Sequence, residues 1–113
     1  MKVAVVSTWT GQRPGRERLA TALARETDDY VGKFAAEGKC SEPRWYFSNF
    51  GVNVWIVEGE FEDLALILTT PEAMRLQAKL ALALENMRVE FCTIDRDAQL
   101  NASEELFDEL KIG

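Results

Sequence analysis

The apolar residues of this chain switch between two spacings, and the order of those switches restricts the fold more than any other feature. In Lys2–Trp9 apolar residues occupy both sides of an alternating pattern, which indicates a strand covered on both faces. From about residue 16 to 37 they recur at helical spacing, and Gly38 is well placed to end that helix. Alternation returns in Val52–Val57, and Leu64–Thr69 reads as a further short strand.

The second half of the chain begins with a clear helix start. Thr70-Pro71-Glu72 combines a capping hydroxyl, a proline at the first helical position and an acid in the first turn. We expect this helix to continue through Met87 and to lead into a last strand over Arg88–Asp95. The element order is then βαββαβ, which predicts a ferredoxin-like α+β fold: a four-stranded antiparallel sheet with two helices on one face.

We expect residues 1–113 to form a single domain, since a chain of 113 residues can bury one core but not two. Within it, residues 100–113 are predicted to form a short tail helix, which a capping box at Asn101-Ala102-Ser103-Glu104 would begin.

Composition excludes several classes of function. The chain has no histidine, which removes the usual general base near neutral pH, the Ser-His and Cys-His nucleophile pairs and the commonest metal ligand. We therefore predict no metal site and no cofactor. The net charge of −6 argues against a nucleic-acid partner, because phosphate binding needs a basic face.

The chain also lacks the signs of a membrane or secreted protein. No apolar run approaches the roughly 20 residues that a membrane span needs, and the N-terminus does not read as a signal peptide. We therefore expect a cytoplasmic protein without a membrane partner. Cys40 and Cys92 belong to no CxxC pair and favour two buried free thiols, with a disulfide or a reactive thiol as the alternatives.

Acidic residues crowd the stretch Glu58–Asp63, between two predicted strands. Two antiparallel strands that follow each other along the chain are joined by a turn, so we interpret this stretch as a hairpin turn. Its acids are then explained by solvent exposure. A metal-binding or catalytic role is the alternative.

Residues 52–94 resemble the GYD-domain family. Its members carry a Gly-x-Tyr-Asp turn, a short apolar strand, a Pro-Asp or Pro-Glu helix start and an Asn-x-Arg lead into the final strand. The matching residues here are Gly59–Asp63, in which Phe61 replaces the tyrosine and Glu62 is inserted, and Asn86–Arg88. The resemblance implies a dimeric α/β barrel, a group that also includes small cofactor-free monooxygenases and isomerases.

Apolar residues on both faces of the strands also indicate an assembly. A sheet with helices on one side should be polar on the other, yet Val3 and Val5 alternate with Ala4 and Val6. An exposed apolar face of that size marks an interface, and a symmetric dimer is the commonest closed form. We therefore predict a homodimer or larger homo-oligomer. The tail helix could embrace the partner subunit, lie on its own domain or dock elsewhere.

An aromatic-rich segment supplies the candidate site. Rings accompanied by a guanidinium and an amide could line a pocket for a flat or anionic ligand, because arginine stacks on rings and forks onto carboxylates. The alternative is that the rings plug the end of the barrel or the subunit interface. The candidate ligand-binding residues are Trp9, Arg44, Trp45, Tyr46, Asn49 and Trp55.

Three functions are consistent with this sequence. The first is a non-enzymatic oligomeric protein that binds a small molecule in an aromatic-lined pocket, with Arg44–Phe50 as the lid. The second is a cofactor-free monooxygenase or isomerase that holds an electron-rich ring between Trp9, Trp45 and Trp55, with Arg44 stabilising an oxyanion. Without histidine, that enzyme has no obvious base for proton abstraction. The third is a structural interaction module.

Overall fold

The structure is a computed structural model that describes residues 1–111. In chain order its elements are β1 (Lys2–Trp9), β2 (Gly11–Gln12), α1 (Glu17–Ala36), β3 (Arg44–Tyr46), β4 (Asn53–Glu60), α2 (Phe61–Leu68), α3 (Pro71–Ala83), β5 (Leu84–Glu85), β6 (Arg88–Thr93) and α4 (Arg96–Leu110). Four strands form an antiparallel sheet in the order β3-β4-β1-β6, and β2 pairs with β5 in a separate ladder. The predicted ferredoxin-like fold is confirmed.

The buried core lies on one face of the sheet. Val3, Val5 and Trp9 of β1 and Trp55 and Val57 of β4 point to this face. They pack against buried residues of the first three helices, which are Ala20, Leu23, Tyr30, Val31, Leu64, Ile67, Ala73, Leu76 and Ala83. We call this side the inner face and the opposite side the outer face.

The predicted strand over Leu64–Thr69 is wrong, because these residues belong to helix α2 and its C-cap. Leu64 and Ile67, three positions apart, are buried, whereas Leu66 is 67% exposed. A short unbroken apolar run fits a helix as well as a strand, so spacing alone could not decide between them. The fourth strand of the sheet is instead β3, the three-residue segment Arg44–Tyr46.

The predicted hairpin turn over Glu58–Asp63 is also wrong. β4 extends to Glu60, and α2 begins directly at Phe61. Two of the acids, Glu62 and Asp63, stand in the first turn of α2, where the positive end of the helix dipole favours negative charge. A side chain at Gly59 would be crowded, since a Cβ there would lie 3.0 Å from the carbonyl oxygen of Lys39.

The end of α1 and the start of α3 agree with the sequence. α1 is followed by Gly38 in the left-handed region at φ +76°. The hydroxyl of Thr70 accepts a 3.1 Å hydrogen bond from the backbone N–H of Ala73, with Pro71 as the first residue of α3. α3 ends at Ala83, however, and not at Met87, because the next two residues pair with β2.

The C-terminal segment differs from the prediction in its boundaries. β6 ends at Thr93, and α4 already starts at Arg96, where the Asp95 carboxylate accepts a 3.0 Å hydrogen bond from the backbone N–H of Ala98. The last two residues of the predicted tail lie outside the described residues. No residue of α4 within the described chain is buried, and this disagrees with a helix that lies on its own domain.

Cys40 and Cys92 are free, as predicted, but each is partly exposed. Burial raises the pKa of the Cys40 thiol, and the charges of Glu42 and Asp63 raise it further. A raised pKa lowers the thiolate fraction, which makes this thiol less reactive than an ordinary one. Within residues 1–111, no helix combines the length and the apolar character needed to cross a bilayer.

Candidate functional site

A cavity of about 230 Å³ lies between the inner face of the sheet and helices α1 and α3. Its sheet wall includes Ser7, Trp9, Trp45, Trp55 and Val89. Its helix wall includes Tyr30 and Val31 of α1, and Ala73, Leu76, Gln77 and Leu80 of α3. None of the described residues that line it is an aspartate, glutamate, lysine or arginine.

A small side chain in the middle of the sheet contributes to the space of the cavity. On the inner face of β1, Ser7 stands between Val5 and Trp9, opposite Trp55 on one neighbouring strand and Val89 on the other. Protein interiors are close-packed, so a serine among larger residues leaves space beside it. Among residues 1–111, Ser7 is also the sole buried side chain that is classed as polar or charged.

Three tryptophan rings form one continuous wall. Pairing of β3 with β4 places Trp45 directly opposite Trp55. Trp45 meets Trp9 at 5.7 Å between ring centroids and Trp55 at 6.5 Å, in both cases edge to face, which is a favoured aromatic geometry. Phe47 stacks on Trp45 with its ring inclined by only 10° and is 75% exposed, so it stands at the rim of the cavity.

The indole N–H groups of two of these tryptophans have different environments. Trp45 Nε1 donates to both carboxylate oxygens of Asp28 on α1, at 2.9 and 3.0 Å, and this bond fixes the ring against the cavity. Trp55 Nε1 is buried and has no hydrogen-bond partner among the described residues.

Two polar side chains of the helix wall, Tyr30 and Gln77, are engaged in structural bonds. The Tyr30 hydroxyl donates to the backbone oxygen of Ile67 at 2.6 Å and lies 2.5 Å from the hydroxyl of Thr70. Gln77 Nε2 donates to the backbone oxygen of Leu68 at 2.8 Å. These bonds tie α1 and α3 to the α2–α3 corner.

The structure brings together three of the six sequence-predicted residues. Trp9, Trp45 and Trp55 line the cavity. The strand alternation that turns Trp45 inward turns Arg44 and Tyr46 to the outer face, where Arg44 forms a 3.1 Å ion pair with Glu58 and Tyr46 is 52% exposed.

The remaining predicted residue, Asn49, is exposed and does not line the cavity within the described chain. Arg44–Phe50 therefore contributes Trp45 and Phe47 rather than its guanidinium or amide.

Sequence reasoning missed Ser7 and the helix residues of the wall. Ser7 carried a usable signal, since it is the polar member of the inner-face series formed by Val3, Val5 and Trp9. Tyr30 and Gln77 carried none. Each occupies an ordinary position in an amphipathic helix, and only the packing of that helix on the sheet brings it to the cavity.

The sequence matches no protein-family model and no curated protein. Solved structures share its fold. SnoaB, a cofactor-independent oxygenase from Streptomyces nogalater, superposes with a TM-score of 0.65 at 13% identity, over 84% of this chain and 94% of that chain. An antibiotic biosynthesis monooxygenase superposes with a TM-score of 0.61 at 19% identity, over 80% and 96% of the two chains.

A third similar structure is a dimeric protein of unknown function and ferredoxin-like fold from Bacteroides fragilis. Its TM-score is 0.55 at 12% identity, over 80% of this chain and 93% of that chain. The fold shared with this third structure is ferredoxin-like. At these identities the likeness extends to the fold alone.

Proposed function

We propose that the cavity on the inner face binds a small, flat and largely apolar molecule, and that binding this molecule is what the protein does. The observation that carries the proposal is a cavity of about 230 Å³ with three tryptophan rings and no Asp, Glu, Lys or Arg side chain among its described lining residues. Binding sites for small molecules are mostly apolar concavities with a few placed polar groups.

The size and charge of the ligand follow from the cavity. An apolar cavity of about 150 Å³ takes up benzene, so the larger volume here fits one or two fused rings. A charged ligand would lose its hydration without finding an ion partner, which is costly in an apolar site. Flat rings are favoured because they can pack on the faces and edges of the tryptophans. Phe47, at the rim, is the residue that we propose as the lid.

Titration with indane, a two-ring hydrocarbon, tests the proposal. We expect tryptophan fluorescence to change saturably in the wild type, since the rings that report binding form the wall. Ser7→Leu fills the cavity and should weaken binding at least about tenfold. Thr8→Leu is the matched control: Thr8 is the next residue of β1 and points to the outer face, so this variant should bind like the wild type. Equal binding by all three proteins would place indane elsewhere and contradict the proposal.

A second candidate function is a cofactor-independent oxygenase. It is supported by the fold shared with SnoaB and by a tryptophan wall suited to an electron-rich ring. Arg44 lies on the outer face, where it pairs with Glu58, and so it cannot stabilise an oxyanion that forms in the cavity.

An oxygen electrode separates the two candidates, with 1-naphthol as the substrate. Oxygen uptake by the wild type that Ser7→Leu abolishes would support the oxygenase. Saturable binding of 1-naphthol without oxygen uptake would support a binding protein.

We further propose a homodimer that forms through the outer face of the sheet. Ala4, Val6, Val54 and Ile56 make the centre of that face apolar, and the last three of these are partly exposed. A partner sheet would cover them. The similar protein from Bacteroides fragilis is dimeric. If the cavity binds nothing, a structural interaction module built on this dimer remains as the alternative.

Kinship with GYD-domain proteins is also a proposal. It is supported by two matching residues with structural roles: Gly59, where a Cβ would meet the Lys39 carbonyl, and Asn86, which adopts φ +53° and donates to the Thr10 hydroxyl at 3.0 Å. We propose a cytoplasmic location, because free cysteines such as Cys40 and Cys92 suit a reducing compartment.

A further inference from the structure

The hydroxyl of Ser7 forms no hydrogen bond within the described chain, although Ser7 is only 7% exposed. Its cross-strand neighbours are Trp55 and Val89. Val89 has no polar side-chain atom, and the indole N–H of Trp55 is itself unpaired, so neither side chain engages the hydroxyl. Buried polar groups in native proteins nearly always find a partner, so this exception needs a specific explanation.

The Ser7 hydroxyl oxygen can be reached from the cavity. Among residues 1–111 that are not exposed, Trp55 Nε1 is the sole side-chain nitrogen or oxygen that is both unpaired and completely enclosed. The Ser7 oxygen is unpaired too, so it is not enclosed and keeps accessible surface. Ser7 lines the cavity from the inner face of β1, a strand that β4 and β6 flank on its two sides. The cavity is therefore the space from which a ligand atom contacts this oxygen.

We propose that the ligand carries a neutral hydrogen-bond acceptor, and that this atom accepts from the Ser7 hydroxyl; the inference rests on the proposed binding function. A hydroxyl has one donor and two lone pairs, and orphaned buried donors are rarer in proteins than under-used acceptors, so the donor determines the matching group. The described cavity wall has no Asp, Glu, Lys or Arg to balance a charge, so that group is neutral. The chemical class is an aryl ketone or a related neutral carbonyl compound of one or two rings, and Ser7 is the residue that selects it.

Indane and 1-indanone are matched probes for this proposal. They have nearly the same shape, and only 1-indanone has a carbonyl oxygen. Ser7→Ala removes the hydroxyl with little change in volume. We expect this variant to bind indane at least as tightly as the wild type, because indane covers the hydroxyl without pairing it. It should weaken 1-indanone, so that the ratio of the two affinities changes about tenfold.

Thr8→Ala is the matched control variant. Thr8 is the next residue of β1 and points to the outer face, so removal of its hydroxyl should leave the ratio of the two affinities as in the wild type.

The carbonyl stretching band of bound 1-indanone reports the hydrogen bond itself. A hydrogen bond to the carbonyl oxygen weakens the C=O bond and lowers its stretching frequency. We expect infrared difference spectra to show this band at a lower frequency in the wild type than in Ser7→Ala, and Thr8→Ala to match the wild type.

The outcomes separate this proposal from the one beneath it. If both probes bind but Ser7→Ala changes their affinities by the same factor and leaves the carbonyl band in place, the inference is overturned and the binding function stands. If neither probe binds the wild type, the proposed function itself is contradicted.

Discussion

Trp45 is held at the cavity by a carboxylate that lies on another element. Asp28 of α1 accepts from its indole N–H with both oxygens, whereas the adjacent Asp29 is exposed and has no such role. Asp28 is therefore a positioning residue, which acts on a ligand only through the ring that it orients.

Removing the acceptor should release that ring. We expect Asp28→Ala to weaken indane binding about three- to tenfold, and Asp28→Asn, which keeps an oxygen acceptor, to restore most of the affinity. Fluorescence titration measures both variants, and Asp29→Ala should match the wild type. The same loss in Asp28→Ala and Asp28→Asn would show that charge, rather than the position of the ring, is what matters.

At the scale of single residues, the sequence indicated which residue types form the site better than it indicated which face of the sheet each side chain points to. The aromatic segment was correctly singled out as a source of rings near Trp9 and Trp55. Which of its side chains enter the cavity depends on which residues of β3 point to the inner face. A shift of one residue in the pairing with β4 would turn Arg44 and Tyr46 inward in place of Trp45. A strand of three residues is too short for its alternating pattern to predict which side chains point inward.

Among the elements, α2 is where the structure departs most from the sequence interpretation, and the departure can be tested. In a strand, Leu64 and Leu66 would share a face; in a helix they point about 200° apart. Leu64 is 1% exposed and Leu66 is 67% exposed. We expect Leu64→Ala to lower the free energy of unfolding by about 2–5 kcal/mol and Leu66→Ala to change it by less than about 0.5 kcal/mol.

Urea denaturation at one fixed protein concentration would measure both variants. Equal losses from Leu64→Ala and Leu66→Ala would contradict the helix. The error at this element has a physical cause: five apolar residues in a row satisfy either period, and the decisive contacts come from the sheet and α3. Where the sequence carried local signals, as with the Thr70-Pro71 start of α3, the prediction held.

For the whole molecule, the main feature is that the outer face and α4 both leave apolar residues exposed. Neither can bury its apolar residues within the described chain: Val6 and Ile56 are partly exposed, and Leu106, Phe107 and Leu110 of α4 are about half exposed. The ferredoxin-like fold class was predictable from the order of periods, although Leu64–Thr69, one of the strands in that prediction, belongs to helix α2 and its C-cap. The assembly was only suggested, since a pattern of apolar residues shows that a face needs cover but does not identify the cover.

A charge in the centre of the outer face should dissociate the proposed dimer. We expect the wild type to have twice the 12.8 kDa mass of one chain in native mass spectrometry, and Ile56→Glu to have the mass of one chain. Leu82→Glu, at an exposed position on α3, should remain a dimer. A monomeric wild type, or a dimer that survives Ile56→Glu, would contradict assembly through this face.

The central claim is that a flat small molecule binds between the inner face of the sheet and helices α1 and α3. Nuclear Overhauser contacts between bound indane and assigned side chains measure this most directly. We predict contacts to the rings of Trp9, Trp45 and Trp55 and to Leu76 across the cavity. Contacts confined to Ile56 on the outer face or to α4, or the absence of any binding, would contradict the claim.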